Sequence, residues 1–157
     1  MRQESYSAVI KTPVGKIGIT AADHVLLGIE YLAARSKLKD ADNAFTENVI
    51  KQLQAYFDDP TFEFDIAYDL TGTPYQKRVW NRLKRIRSGQ TLNYSDVAKQ
   101  LKSGPRAVGG ACRNNPISII IPCHRVISKS GIGGYSGDWE TGKVDIKRWL
   151  LNHENVK

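Results

Sequence analysis

The apolar residues of this 157-residue chain change their spacing near the stretch Asp69-Leu70-Thr71-Gly72-Thr73-Pro74, and this change most constrains its fold. Before it, Tyr6, Ala8 and Ile10, then Ile17 and Ile19, then Val25, Leu27, Ile29 and Tyr31 alternate with polar neighbours, the period of half-buried strands. Thr12-Pro13-Val14-Gly15 and Ala22-Asp23-His24 are the turns between them. Phe45, Val49, Leu53 and Phe57 recur every four residues, predicting an amphipathic helix that Asp58-Asp59-Pro60 ends. Phe62, Phe64 and Ile66 predict one more strand. After the boundary the helical period takes over, so two small units are expected, 1–71 and 72–157, together an α+β chain.

The second unit is the basic one. Residues 1–74 hold seven Lys/Arg against eleven Asp/Glu, a balance of −4; residues 75–157 hold sixteen against five, a balance of +11. That asymmetry predicts a polyanion partner for the C-terminal half, nucleic acid first. Thr73 can cap a helix with Pro74 in its first turn, Tyr75, Val79, Leu83 and Ile86 forming its apolar face and Ser88-Gly89 its stop. Ser95 is expected to cap a short helix with Val97, Ala98 and Leu101, and Arg106 to Arg113 a second one after Gly104-Pro105. Helix, short turn, helix in a basic segment is the helix-turn-helix pattern. Gly109 and Gly110 cost helix stability but let the backbone approach something closely, either a nucleic-acid backbone or a neighbouring element. A last helix carries Ile146, Trp149 and Leu150. No apolar run reaches the roughly 20 residues of a membrane span, and the N-terminal residues lack a signal-peptide apolar core, so a cytoplasmic protein is expected.

Chemistry concentrates in Ile119-Ile120-Ile121-Pro122-Cys123-His124-Arg125-Val126. Ile117 to Ile121 reads as a short strand that Pro122 terminates, leaving Cys123 where regular structure ends. A thiol is nucleophilic as thiolate, and a neighbouring base or positive charge raises that fraction. His124 or Arg125 can serve, provided the backbone bends after Pro122 or a water bridges, because neighbours on a strand face opposite ways. A base needs an orienting group, for which Asp138, Glu140, Asp145, Glu154 and Asn115 are candidates. A zinc site from Cys112, Cys123, His124 and His153 matches no common spacing, and no metal or other cofactor is expected.

PCHRV, preceded by RAVGGACRNNP and followed by GGYSG and KRWLLNHE, closely resembles the O6-alkylguanine-DNA alkyltransferases, with GTPYQKRVW and Tyr94-Ser95 agreeing as well. The resemblance runs from about Gly72 to Glu154. It implies a small ribonuclease-H-like N-terminal α/β domain with a supporting role. It also implies a mostly helical C-terminal domain with a winged helix-turn-helix, which binds DNA and accepts the alkyl group. Cys123 resembles the alkyl acceptor, His124 the base that takes the thiol proton through a water, Glu154 the carboxylate orienting it, and Asn115 the hinge asparagine. Arg106 is similar to the arginine that fills the gap left by a flipped base, and Tyr94 to the tyrosine that promotes flipping. Ser95, Arg113 and Lys129 are the further expected DNA contacts, and Tyr135 and Ser136 resemble residues of the guanine pocket. Cys112 reads as a small core hydrophobe rather than a second acceptor.

The resemblance implies stoichiometric, irreversible repair of O6-alkylguanine, and of O4-alkylthymine, in double-stranded DNA by a monomer. Two other classes remain in view: a helix-turn-helix alkylation sensor or regulator, and a non-catalytic binder of alkylated DNA. A binder has no need of the Cys123 thiol. A regulator usually needs a dimerisation element, and no long heptad is visible.

Overall fold

The computed structural model describes residues 6–133 and 142–156. The chain divides into two compact units, Met1–Thr71 and Gly72–Lys157.

The first unit is a three-stranded antiparallel sheet with one long helix. Strands β1 (Ala8–Thr12), β2 (Gly15–Ala22) and β3 (Val25–Leu32) pair in chain order. Thr12 opposes Gly15 across the first turn, where the Thr12 hydroxyl accepts from Val14 N at 3.2 Å and donates to Gly15 O at 2.7 Å. Ala22 opposes Val25 across the second, with Asp23 at φ 55°. The alternation puts Ala8, Ile17 and Ile19 into the core; in β3 it breaks, where the β2–β3 register shifts at Thr20/Ala21, so that Leu26 and Ile29 are buried while the expected Leu27 is exposed. Gly18 is required where it stands: a Cβ there would come within 2.9 Å of the Tyr6 ring lying over the sheet.

Helix α1 (Ala44–Asp58) is capped by Asn43, whose side chain accepts from Thr46 N at 2.8 Å. Its buried face is Thr46, Val49, Leu53 and Tyr56. The expected stripe is therefore rotated, since Phe45 and Phe57 at its ends are only half-buried. The expected strand at Phe62–Ile66 does not form. The backbone there is held by the Gln52 side chain, which donates to Asp65 O at 3.0 Å and accepts from Asp65 N at 2.8 Å. Phe64 packs on the Tyr56 ring, and among the described residues the β pairing nearby is a single parallel bridge from Leu26 to Tyr68. Aromatic alternation there signals packing onto a helix, not a ladder.

The second unit opens with α2 (Pro74–Leu83), whose start was legible: Thr73 and Gln76 form a reciprocal capping box with Pro74 in the first turn. A box of this kind contributes about 0.5–2 kcal/mol. The helix ends at Leu83, before the expected stop at Ser88-Gly89. Trp80, fully buried, donates from Nε1 to Ala111 O at 2.8 Å, fixing α2 to the helix-turn-helix. That motif is α3 (Tyr94–Gln100) and α4 (Pro105–Arg113). The cap of α3 is Asn93, in a box with Asp96, so the expected cap Ser95 lies instead inside the first turn.

Leu92–Asn93 (β4) pairs in parallel with Val126–Ile127 (β5). This short ladder ties the start of α3 to the segment immediately after Cys123-His124-Arg125. The apolar run before that segment is not a strand. Ser118 and Ile121 close an isolated bridge around a tight turn, Ile121 N donating to Ile117 O at 3.0 Å, with Ile119 at φ 74°. A β-branched residue in the left-handed region is strained, and such strain persists only where surrounding packing fixes it; Ile117, Ile119 and Ile121 are all buried. The chain closes with α5 (Gly142–His153). Its core face is Val144, Lys147, Leu150 and Leu151. Trp149 is only half-buried and stacks on His153 with ring centroids 4.9 Å apart. Among the described residues no helix is long and apolar enough to cross a membrane.

Candidate active site

Pro122 ends the Ile turn and the backbone bends at once into a single 3-10 turn, Cys123–Arg125. Cys123 N donates to Ile121 O at 2.8 Å and Arg125 N to Pro122 O at 2.9 Å. The bend removes the opposite-face problem of a strand and brings three reactive side chains onto one element. Cys123 and His124 are buried, at 3% and 0% exposure, so their protonation is set by neighbours rather than by solvent.

Asn115 holds the thiol. Its Nδ2 donates to Cys123 Sγ at 3.1 Å and to Ile121 O at 2.8 Å, while its Oδ1 accepts from Ile117 N at 2.9 Å. One amide thus pins the turn on both sides of Pro122. Of the five orienting candidates, the fold selects Glu154 for the imidazole: His124 Nε2 lies 2.8 Å from Glu154 Oε2. Asp145 instead accepts from Arg148 at the surface, and Asp138 and Glu140 lie outside the described residues, as do Tyr135 and Ser136. Arg125 does not serve the thiol. It binds Glu154 through Nε and Nη2 at 2.8 and 2.9 Å and donates to Ile86 O.

These contacts set the charges. Burial works to raise the Glu154 pKa, but the hydrogen bonds and charges of His124 and Arg125 outweigh it and hold the carboxyl well below the usual carboxylate range. Glu154 is therefore an anion, and the Nε2 facing it carries the proton. His124 is itself lowered, first by burial and then by the Arg125 and Lys147 charges, against the opposing pull of Glu154. It is a neutral imidazole whose Nδ1 is left as an acceptor, and that buried nitrogen has no hydrogen-bond partner among the described residues.

The thiol departs from the sequence expectation. Burial, and next the Cys112 side chain beside it, push Cys123 well above the ordinary thiol value, with Asn115 and Lys147 pulling the other way. The resting group is a thiol, not a thiolate, and the anion must be made when it is needed.

Two neighbours were not legible. Lys147 is fully buried, donates from Nζ to Val126 O at 2.6 Å, and sits 5.8 Å from the centroid of the Tyr94 ring. Burial drags its pKa down to about 8 while the two cysteines pull it back up. The signal was there in its spacing, since Val144, Lys147, Leu150 and Leu151 share one helix face. Cys112 was expected as core filler and is buried, yet it is also among the groups that raise the Cys123 thiol. Tyr94 lies beside Lys147: its ring also lies against Gly133, and burial, followed by the two cysteines, holds its hydroxyl protonated beyond the ordinary phenol range.

The remaining expected residues are more exposed than the cysteine and its partners. Arg106 and Arg113 on α4 and Lys129 after β5 are exposed, and Ser95 is half-buried at the start of α3. Added Cβ atoms at Gly109 and Gly110 would meet nothing within 4 Å, so these glycines are not making room for a neighbouring element. A cavity of about 390 Å³ lined by Arg82, Arg85, Ile86, Gln90, Thr91 and Leu92 contains none of the expected site residues.

The sequence model of the 6-O-methylguanine DNA methyltransferase DNA-binding domain matches residues 74–156, and that of the family's ribonuclease-like domain matches residues 5–70. The chain belongs to the 6-O-methylguanine DNA methyltransferase family. It is 36% identical to the methylated-DNA–protein-cysteine methyltransferase of Methanosarcina acetivorans, over 95% of this chain and 97% of that one. The protein of the same name from Mycobacterium bovis is 38% identical, over 94% and 91% of the two chains. The crystal structure of Mycobacterium tuberculosis OGT in complex with DNA matches with a TM-score of 0.80 at 37% identity, covering 94% of this chain and 91% of that one. The α+β fold of a sheet-containing N-terminal unit and a helical, helix-turn-helix-bearing C-terminal unit is thus that of the family.

Proposed function

We propose that this chain repairs O6-alkylguanine in double-stranded DNA, and O4-alkylthymine with it, by moving the alkyl group irreversibly onto Cys123. The observation that carries the reading is the neutral, buried His124, which shares one turn with Cys123 and is locked by Glu154 with its Nδ1 free to accept.

The alkylated base must leave the stack to reach a buried sulfur, which costs a few kcal/mol. Arg106 fills the gap, Tyr94 promotes the rotation, and Ser95, Arg113 and Lys129 hold phosphates. The open faces of Gly109 and Gly110 suit close approach of a nucleic-acid backbone. Tyr135 and Ser136 contact the guanine. His124 Nδ1 takes the thiol proton, through a water. Sγ then displaces O6 at the alkyl carbon: the S–C bond forms, the C–O6 bond breaks, and the electron pair leaves on guanine, which takes up a proton. A thioether is a poor leaving group, so each molecule acts once. Asn115, already bound to Sγ, supports the developing thiolate. Units 1–71 and 72–157 divide the work into support and chemistry, in a monomer, and the reducing cytoplasm suits an acceptor that must stay a thiol.

Incubation with an O6-methylguanine duplex, followed by intact and peptide mass spectrometry, tests this. One added methyl group on Cys123, absent in Cys123→Ser, is expected. DNA binding without a mass change would overturn the reading in favour of a sensor or a passive binder.

A further inference from the structure

Tyr75, Arg78 and Arg82 recur at helical spacing along one face of α2. All three side chains reach the segment that joins α3 to α4. The Tyr75 and Ser103 hydroxyls are hydrogen-bonded at 2.8 Å, Arg78 Nη2 donates to Leu101 O at 2.9 Å, and Arg82 Nε donates to Gln100 Oε1. The turn they hold has a conformational cost. Lys102 N donates to Lys99 O at 3.3 Å and Ser103 N to Ala98 O at 2.9 Å, the pair of bonds that closes a helix through a left-handed residue. The residue in that position is Lys102, at φ 55°, where glycine is usual. Such a conformation persists where its surroundings fix it. Helix α4 adds little hold of its own at this end: its N-cap is Gly104, which has no side chain to accept from the first amides, and Arg106 follows at once in the first turn. Toward the other end of α4, Trp80 of α2 already fixes Ala111 O.

We propose that Tyr75, Arg78 and Arg82 are positioning residues for duplex binding: from α2 they hold the turn between α3 and α4, and through it they set where Arg106 stands, without touching DNA themselves. The inference rests on α4 lying against duplex, as proposed above. It divides the positive charge of this unit into two uses that a residue count merges. Arg106 is exposed and makes no side-chain hydrogen bond or ion pair among the described residues, so its guanidinium is open to a phosphate. Arg78 and Arg82 each commit a donor to the turn instead. The two uses differ in how binding responds to salt. Each cation that neutralises a phosphate releases counterions and steepens the salt dependence. A positioning cation does not. Its loss lowers the fraction of molecules whose α4 is placed to bind, and affinity falls by the same factor at every salt concentration. Reaction of Cys123 with a free base needs no helix docked on DNA, so it is spared.

The test uses the full chain and the variants Tyr75→Phe, Ser103→Ala, their double mutant, and Arg78→Gln. Affinity for an O6-methylguanine duplex is measured across a salt series, the rate with the free base O6-benzylguanine is measured beside it, and denaturant unfolding establishes that each variant is folded. Tyr75→Phe removes a single oxygen atom, so it keeps the test open should Arg78→Gln fold poorly. Tyr75→Phe and Arg78→Gln should each weaken duplex binding by roughly 2–10-fold, the equivalent of one hydrogen bond. Both should keep the wild-type salt slope and the wild-type rate with the free base. The double mutant should bind no more weakly than the weaker of its two singles, because both changes delete one bond. A salt slope lowered by about one in Arg78→Gln would make it a direct phosphate contact and overturn the proposal. So would folded variants that bind duplex like the wild type, losses that simply add in the double mutant, or a free-base rate that falls along with affinity. Wild type that binds duplex but transfers no methyl group would count against the repair reading alone, whereas wild type that binds no duplex would sink both.

Discussion

His124 Nε2 and Glu154 Oε2 stand 2.8 Å apart with both side chains sealed from solvent, joining the 3-10 turn to the end of α5. Because the carboxylate also receives Arg125, this one anion serves donors of two consecutive residues. Glu154→Gln keeps the shape but removes the charge that fixes the imidazole tautomer. Single-turnover transfer should slow by about 10²–10⁴-fold, the range for losing a positioned general base. Stability should fall by about 3–5 kcal/mol, because Arg125 is left without its counter-charge. Rapid-quench transfer and denaturant unfolding read these separately, and unchanged affinity for DNA should accompany both.

Acid should weaken the fold in two stages. An imidazole whose folded pKa is lowered binds its proton more readily in the unfolded chain, so the His124 contribution is complete above the unfolded value of about 6.5 and declines as pH falls below it. The Glu154 pKa is also depressed, so its contribution is present above the unfolded carboxylate value of about 4.3 and is lost as pH falls through the folded one. Thermal unfolding followed from pH 8 downwards should therefore show Tm dropping first below about 6.5 and again below about 4.3. His124→Asn should erase the first drop. The transfer rate should hold to a pH below the ordinary imidazole value before it falls.

Much of this architecture can be read from residue order. Period-two spacing located the three strands of the first unit and period-four spacing its helix, and Thr73-Pro74 marked the start of α2 because its cap is local. What failed was non-local. Phe62 and Phe64 alternate like a strand but answer to the Gln52 side chain and the Tyr56 ring. The Ile117–Ile121 run has strand composition but turns, because buried packing overrides the strain at Ile119. Cys123 and His124 were legible as a reactive pair, whereas the bend that lets them cooperate was not. Choosing Glu154 among five candidates needed the return of α5, 30 positions later. The direction of the Cys123 shift was misjudged, because neighbouring charges are visible in sequence and desolvation is not.

Lys147 pulls the Cys123 thiol down against burial, so its removal should push the thiol higher still. Lys147→Met keeps the apolar stem within the α5 core face and removes the charge, and with it the bond to Val126 O and the ammonium over the Tyr94 ring. Iodoacetamide alkylation of the free protein, followed against pH, should place the Cys123 midpoint above the ordinary value of about 8.5 in the wild type, and higher in the variant. Transfer at neutral pH should slow by roughly tenfold for each unit of that rise. An unchanged midpoint would assign Lys147 to packing alone.

Gly110 offers the sharpest separation between folding and binding. It lies inside α4, where glycine costs up to about 1 kcal/mol relative to alanine. A Cβ there meets no atom within 4 Å. Gly110→Ala should therefore raise stability by about 0.5–1 kcal/mol, read by denaturant unfolding. If α4 lies against DNA, the same methyl group intrudes on the bound backbone. Affinity for duplex should then fall, while the rate with the free base O6-benzylguanine stays at the wild-type level. Arg106→Ala makes the matching control from the exposed end of the helix: slower transfer from duplex, unchanged reaction with the free base, and a binding constant that varies less steeply with salt. A Gly110→Ala protein that is more stable and binds duplex as tightly as the wild type would remove α4 from the interface.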